Sequence, residues 1–359
     1  REGVFFERLL GERELFEDVR AESVRNLAHR FEHHGEHDEH VWALSRSMFD
    51  GLAAAGLHGY GAEERELLWA ACLLHDIGVA VNYDDHHRHS HYLTLNAGLP
   101  GFTPRELILI GLIARYHRKG TPDASELGDL AEVMERGGFE SIEVTEAGLR
   151  EGIFFERLLG EDPLFDDVRA ESVRNLAHRF GHHGAHDLHV WALSRSIYDG
   201  LAEVGLHGYG RPERELLWAA CLLHDIGVAV NYDDHHRHSH YLTLNAGLPG
   251  FTPRELILIG LIARYHRKGA PDASELGDLK DPGDDERLQL LCGVIRLAEQ
   301  LERSRDRAIT DVSVAANGAS VSLRTESDPS LDATVPIWAA RRNADLLSDA
   351  LGRDVEIES

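Results

Sequence analysis

Two His-Asp pairs, His75-Asp76 and His224-Asp225, stand 149 positions apart in this chain of 359 residues, each preceded by Leu-Leu and followed by Ile-Gly. Neutral imidazoles and carboxylates suit Zn, Mn, Fe, Co, Ni or Mg. Adjacent ligands at a helix end project about 100° apart, so both can reach an ion lying between their directions. Such a pair needs partners from other elements. In the second half of the chain these are His186 and Glu299 beside His224 and Asp225; in the first half they reduce to His37 beside His75 and Asp76. Arg115, Arg118 and Lys119, with their counterparts Arg264, Arg267 and Lys268, supply cations suited to phosphoryl oxygens. The chemistry suggested is metal-assisted work on a phosphorylated ligand.

The pairs recur because the sequence does. Residues 1–130 and 150–279 align with about 14 of 130 pairs differing, and Glu64 to Gly120 returns unchanged as Glu213 to Gly269. All 24 histidines fall within these two stretches, so histidine belongs to the repeated unit and is absent from residues 131–149 and 280–359. Each repeat reads as helical. Val41, Leu44 and Met48 follow His37 at i+4, i+7 and i+11, which predicts a helix to about Leu52 with His37 pointing inward. Leu67, Leu68, Ala71 and Leu74 predict a second helix ending at Gly78 as its C′ residue, with His75 and Asp76 in the last turn. Thr103-Pro104-Arg105-Glu106 is a capping box with Pro at N1 and predicts a helix from there to His117. Further helices are expected over Leu9 to Phe31 and Arg88 to Leu95.

Outside the repeats, Phe139 to Thr145 alternates like a strand, so 131–149 is expected to be a structured join. After residue 279 comes material without a first-half counterpart. An amphipathic helix is expected over 286–303, then a hairpin from Thr310 to Arg324 around Asn317-Gly318, a helix from Ile337 to Leu351, and a strand from Val355 to Glu358. The fold class is therefore mainly α. It comprises a truncated repeat (1–130), the join (131–149), a second repeat completed by the 286–303 helix (150–307), and a small α+β subdomain (308–359).

Composition narrows the partners. A net charge of −25 opposes polyanions at long range, which argues against nonspecific nucleic-acid binding and requires a local basic patch for any phosphate ligand. Cys72, Cys221 and Cys292 form neither a disulfide framework nor a Cys-x-x-Cys zinc pattern, so a cytoplasmic location is expected. No run of 18 apolar residues occurs, which argues against a membrane helix, and the start lacks an initiator Met and a signal peptide, as in an excised fragment.

His37, His75-Asp76 and the acidic residue of Arg296-Leu297-Ala298-Glu299 resemble the H…HD…D pattern of the HD superfamily of metal-dependent phosphohydrolases. More specifically, His-Arg-His-Ser-x-Tyr-Leu, Asn96-x-x-Leu99-Pro100-Gly101-Phe102, Arg115-Tyr116-His117-Arg118-Lys119 and Leu297 to Arg305 are similar to the C-terminal HD-like module of exopolyphosphatase/guanosine pentaphosphate phosphatases. The likeness spans nearly the whole chain. It implies that the family's own phosphatase centre, in an actin-like domain, is not in this sequence. Two-metal HD relatives imply His87, His236, His117 and His266 as ligands of a second ion, a bridging hydroxide as nucleophile, and Asp76 and Asp225 as the catalytic carboxylates. The family's late acidic residue is usually Asp where this chain has Glu299, and the first repeat stops short of that helix. Glu299 also suits an ion pair with Arg296 or Arg303, and Arg118-Lys119 suits a helix C-terminus. The resemblance implies either a hydrolase of phosphoric ester or anhydride bonds or a non-catalytic regulatory and dimerisation module that binds polyphosphate or a nucleotide. It further implies a pseudo-dimer of the repeats or a homodimer.

Overall fold

The computed structural model describes residues 18–32, 35–118, 167–181 and 184–359. The expected join at 131–149, residue Lys119 and the helix expected to begin at Leu9 lie wholly or partly outside them. The chain divides into two units, Arg1–Leu158 and Leu159–Ser359, each described by itself.

Unit 1 contains α1 (Val19–Arg30), α2 (Glu36–Ala54), α3 (Ala62–Leu74), a 3₁₀ turn (Ile77–Ala80), α4 (His86–Ala97) and α5 (Pro104–Tyr116). Unit 2 repeats the set as α6 (Val168–Arg179), α7 (Ala185–Glu203), α8 (Arg211–Leu223), a 3₁₀ turn (Ile226–Ala229), α9 (His235–Ala246) and α10 (Pro253–Tyr265). It then adds α11 (Asp284–Leu301), β1 (Ile309–Ala316), β2 (Ser320–Ser327), α12 (Thr334–Arg341), α13 (Asp345–Leu351) and β3 (Asp354–Glu358). The architecture is mainly helical with one small sheet at the end of the chain.

Local chemistry explains the boundaries. Asp167 accepts from Ala170 N at 2.9 Å to cap α6. The box at Thr252 is closed by Glu255, which accepts from Thr252 N at 2.8 Å, with Pro253 in the first turn. Arg169 clamps α6 to α8 and α10, donating to Glu215 at 2.9 Å and Glu255 at 2.8 Å, with its guanidinium 3.9 Å from the centre of the Phe251 ring. The Arg169 partnership, together with Thr252, brings the Glu255 carboxyl down to about 2.

The hairpin forms where alternation and Asn-Gly foretold it. Asn317 Oδ1 accepts from Ser320 N at 2.8 Å, and Val314 pairs with Leu323 across the antiparallel β1–β2 ladder. β3 adds in parallel, setting Ile357 beside Leu323. Val312, Val321, Leu323 and Ile357 are buried. Helix α11 lies against α7, α10, α12 and α13, and β1 lies on α7. The single helix expected over Ile337 to Leu351 is broken into α12 and α13. Asn343 sits at the break and donates its side-chain amide back to Ala339 O at 2.8 Å. Among the described residues no helix is long and apolar enough to cross a membrane.

The glycine after each His-Asp pair has a role other than the expected helix end. α8 stops at Leu223, and Gly227 stands inside the following 3₁₀ turn. There a Cβ would collide with the backbone of His235 and Ser239, and the Gly227 N–H instead donates to Ser239 Oγ at 2.9 Å. Ser239 passes its own proton to His224 O at 2.6 Å, so one hydroxyl ties the turn to α9. We expect Gly227→Ala to cost about 3 kcal/mol or more in chemical denaturation, because neither backbone partner can give way. Gly208→Ala, which meets open space, should be close to neutral in the same measurement.

Candidate metal centre

The turn fixed by Gly227 presents His224 and Asp225 at the end of α8. His186 comes from the first turn of α7, His235 from the first turn of α9, His266 from the C-terminal cap of α10, and Glu299 and Glu302 from the end of α11. Five elements therefore converge on one point.

Asp225 is the hub. Its Oδ1 lies 3.2 Å from His235 Nε2 and 3.8 Å from His266 Nε2, while Oδ2 lies 3.9 Å from His186 Nε2 and accepts from Arg305 at 2.7 Å. On the other side Glu299 Oε2 stands 3.2 Å from His186 Nε2 and 3.3 Å from His224 Nε2. The tautomers follow from the backbone. His224 Nδ1 faces Cys221 O at 2.7 Å, His235 Nδ1 faces Tyr232 O at 2.9 Å and His266 Nδ1 faces Ala263 O at 2.6 Å. Each Nδ1–H donates outward, and each Nε2 is turned toward Asp225 or Glu299, the arrangement that orients metal-ligating imidazoles.

The electrostatics call for positive charge here. Burial opposes ionisation of Asp225, yet His224 first, then His235 and His266, hold it far below the usual carboxylate range. Glu299, also buried, is held down by His186 and His224. The reciprocal effect overcomes burial at the imidazoles, raising His186 to about 9 through Glu299 and Glu302, and His224 to about 10 through Asp225 and Glu299. His266 moves the other way, to about 3, through burial and repulsion by His224, and so stays neutral as a ligand must.

The residues present fit a divalent ion. His186 Nε2, His224 Nε2 and Glu299 Oε2 converge and are buried without hydrogen-bond partners, and a mixed imidazole–carboxylate donor set is the kind that borderline first-row metals take. Among the described residues of unit 2, two clusters have ligand atoms within 4.8 Å of one another: His186, Asp187 and His224, and Asp225, His235 and His266.

Unit 1 shows the same plan without α11. His37, His75 and Asp76 form one group, and Asp76, His86 and His117 another. Asp76 Oδ1 lies 3.2 Å from His86 and 3.5 Å from His117, and Oδ2 lies 3.4 Å from His75 and 3.8 Å from His37. Burial works against the Asp76 charge, but the His86 contact and the neighbouring imidazoles hold it well below the usual range. The group is open: the side chains of His37 and Asp76 are 67% and 22% exposed, against 13% and 2% for His186 and Asp225, so His37 does not point inward as its stripe with Leu44 and Met48 suggested; that stripe is itself exposed.

Several residues sit otherwise than their sequence positions suggest. His235 and His86, rather than the neighbouring His236 and His87, bring Nε2 to the hub carboxylate. The His236 ring lies 5.9 Å from His235 and 6.5 Å from His266, and burial with nearby Lys268 lowers it to about 4. His87 is buried with Nε2 4.0 Å from Asp85. Glu299 does not pair with Arg296, which donates to Tyr265 O at 2.8 Å and Gly269 O at 2.6 Å. Of the cations, Arg264 meets Glu275 at 3.3 Å and Lys268 meets Asp234 at 2.8 Å. Arg267 stands over Tyr232, Arg115 over Tyr116, and Arg118 over Tyr83 with Nη1 3.3 Å from His86 Nδ1. Arg305, Glu302 and His189 escaped sequence reasoning. Arg305 takes a left-handed backbone, φ 57°, to reach Asp225. Its signal lay in the Leu-Glu-Arg-Ser-Arg run, whose charges have no helical period.

The sequence model of Ppx/GppA phosphatase, domain III, matches residues 19–157 and again 168–339. These spans cover most of the chain. The protein belongs to this phosphatase-related family.

Protons on His186 and His224 compete with a cation for the same nitrogens. Divalent metal binding should therefore release protons and tighten as pH rises toward 9. Calorimetric titration with Mn in buffers of different ionisation enthalpy measures the release; a pH-independent affinity would place the ion elsewhere.

Proposed function

We propose that unit 2 is a divalent-metal centre of HD type acting as a phosphohydrolase on a phosphorylated small molecule or a polyphosphate end. The observation that carries this reading is Asp225, one buried carboxylate whose Oδ1 faces His224, His235 and His266 and whose Oδ2 faces His186 and Arg305. His186, His224, Glu299 and Asp225 would hold one ion, and Asp225, His235 and His266 a second. When bound, such ions supply Lewis acidity for a phosphoryl oxygen and lower the pKa of a water.

The chain's own groups do the rest. Asp225 joins the two groups, while the outward Nδ1 bonds lock the imidazoles in their ligand tautomer. Arg305, its side chain 53% exposed and already on Asp225, is the cation best placed to receive a phosphoryl oxygen. Arg267 and Tyr232 border the same edge. In unit 1 Asp76, His86 and His117 keep the second group, but among the described residues of that unit nothing replaces Glu299, so it should hold metal more weakly.

A second reading rests on its own observation. Arg267 over Tyr232 sets a second cation near Arg305, which suits a module that binds polyphosphate or a nucleotide without turning it over. Protein purified without chelator should retain transition metal by elemental analysis. It should also hydrolyse at least one of nucleoside phosphates, guanosine pentaphosphate and polyphosphate with Mn, Mg, Co or Ni. Binding without turnover under every metal would replace the hydrolase reading with the module reading.

Two variants refine the assignment. Replacing His224 and Asp225 by Ala should weaken metal binding by more than about tenfold, and the same change at His75 and Asp76 should remove less. Equal losses would contradict the role given to Glu299. Arg267→Ala should raise KM for a phosphate ester about tenfold while leaving metal content near that of the parent, since Arg267 stands over Tyr232 and not against the groups that would hold the ion.

A further inference from the structure

One helix face occurs twice in this chain and meets different neighbours. On α7, Val190, Leu193, Ile197 and Leu201 are fully buried beneath α11 and β1. His189 Nε2 donates to Ile309 O at 2.7 Å, and Ser196 Oγ to Asp311 Oδ1 at 2.6 Å. Gly200 leaves room for Val314, whose Cγ2 would stand 2.5 Å from a Cβ at that position. Helix α2 carries Val41, Leu44, Met48 and Leu52 in the same register, with His40, Ser47 and Gly51 in place of the three contact residues. There Leu44 is 54% and Met48 68% exposed, and a Cβ on Gly51 would meet nothing within 4 Å. Among the described residues the face keeps the register of one that a strand and helix cover in unit 2.

We propose that the exposed face of α2 is a docking surface for a helix–hairpin segment of the α11–β1 type, supplied by another polypeptide and presenting a carboxylate toward His37 and His75. The residue equivalence with α7 argues the shape of the occupant, and the exposed imidazole of His37 argues its charge, since Glu299 fills that role toward His186 and His224. An intact second copy is a poor source. Each copy has one such segment and two such faces, so exchange between copies bares one face for each that it covers. The donor is a chain whose segment is free. The proposal needs no bound metal and stands apart from the hydrolase reading.

The test uses the segment itself as probe. A fluorescently labelled fragment Asp284–Ser359, added to the full chain, should bind saturably at one site per chain by anisotropy. Gly51→Leu or Met48→Glu in the full chain should abolish that binding. Binding that survives Gly51→Leu, or none by a fragment that circular dichroism shows to be folded, overturns the proposal. So does self-association of the intact chain through α2 that the fragment fails to compete, which would make a second α2 the occupant. Should the fragment be unfolded alone, the full chain supplies the segment. Gly200→Leu, which expels β1 from α7, should then cause concentration-dependent association in sedimentation, and adding Gly51→Leu should remove it. Association that persists in the double variant overturns the proposal equally.

Discussion

The structure of unit 2 depends on a buried carboxylate that must find positive charge. Asp225 is almost wholly removed from water, and an isolated carboxylate in such a place would cost several kcal/mol. It is kept ionised by imidazoles drawn from α7, α8, α9 and α10 and by Arg305 from beyond α11. Those donors in turn fix where each helix ends or begins. His224 and His266 are C-terminal caps and His235 opens α9, so the site is built from helix termini rather than helix flanks. The Gly227–Ser239 contact, with no room for a methyl group, fixes the direction of the His-Asp pair against α9.

Near-identical sequences in the two units separate what the repeat does alone from what α11 contributes. The repeat alone makes the turn, the outward Nδ1 bonds and the Asp–His–His group, since Asp76, His86 and His117 show the same contacts as their counterparts. What α11 adds is a lid of buried side chains from Leu288 to Leu301 and the two carboxylates Glu299 and Glu302. Cover and charge arrive together. Among the described residues of unit 1 they have no counterpart, His37 and His117 stay closer to water than His186 and His266, and Leu44 and Met48 on the α2 stripe are exposed.

Much of this was legible in the sequence. Helical periodicity placed α2, α3 and α5, the capping box at Thr103 placed the start of α5 to the residue, and alternation about Asn317-Gly318 gave the hairpin. The inward histidine was legible for the second repeat only, since His186 is largely covered while His37 on the same stripe is 67% exposed, and the meeting of His186, His224, Asp225 and Glu299 follows the family resemblance rather than any periodicity. Two kinds of feature were not legible. One was the choice within a run. His235 and His236 are neighbours of the same type, and the left-handed Asp234 that starts α9 decides which of them faces Asp225. The other was the reach of Arg305, which depends on a positive φ in a turn that no periodicity describes.

Glu302 shows how closely cover and chemistry are joined. It closes α11, is nearly inaccessible, and places Oε1 4.0 Å from His186 Nδ1 and Oε2 3.5 Å from His189 Nε2. His186 is thereby set between two carboxylates, Glu299 at one ring nitrogen and Glu302 at the other, which accounts for its raised pKa despite burial. His189, one turn further along α7, gives its Nε2 proton to Ile309 at the start of β1. A single helical turn of α7 therefore touches the candidate metal group, the end of α11 and the first strand. Displacing the sheet would loosen His189, then Glu302, and so withdraw the carboxylate that steadies His186. In this chain the C-terminal subdomain is mechanically part of the site although it lends no residue to it.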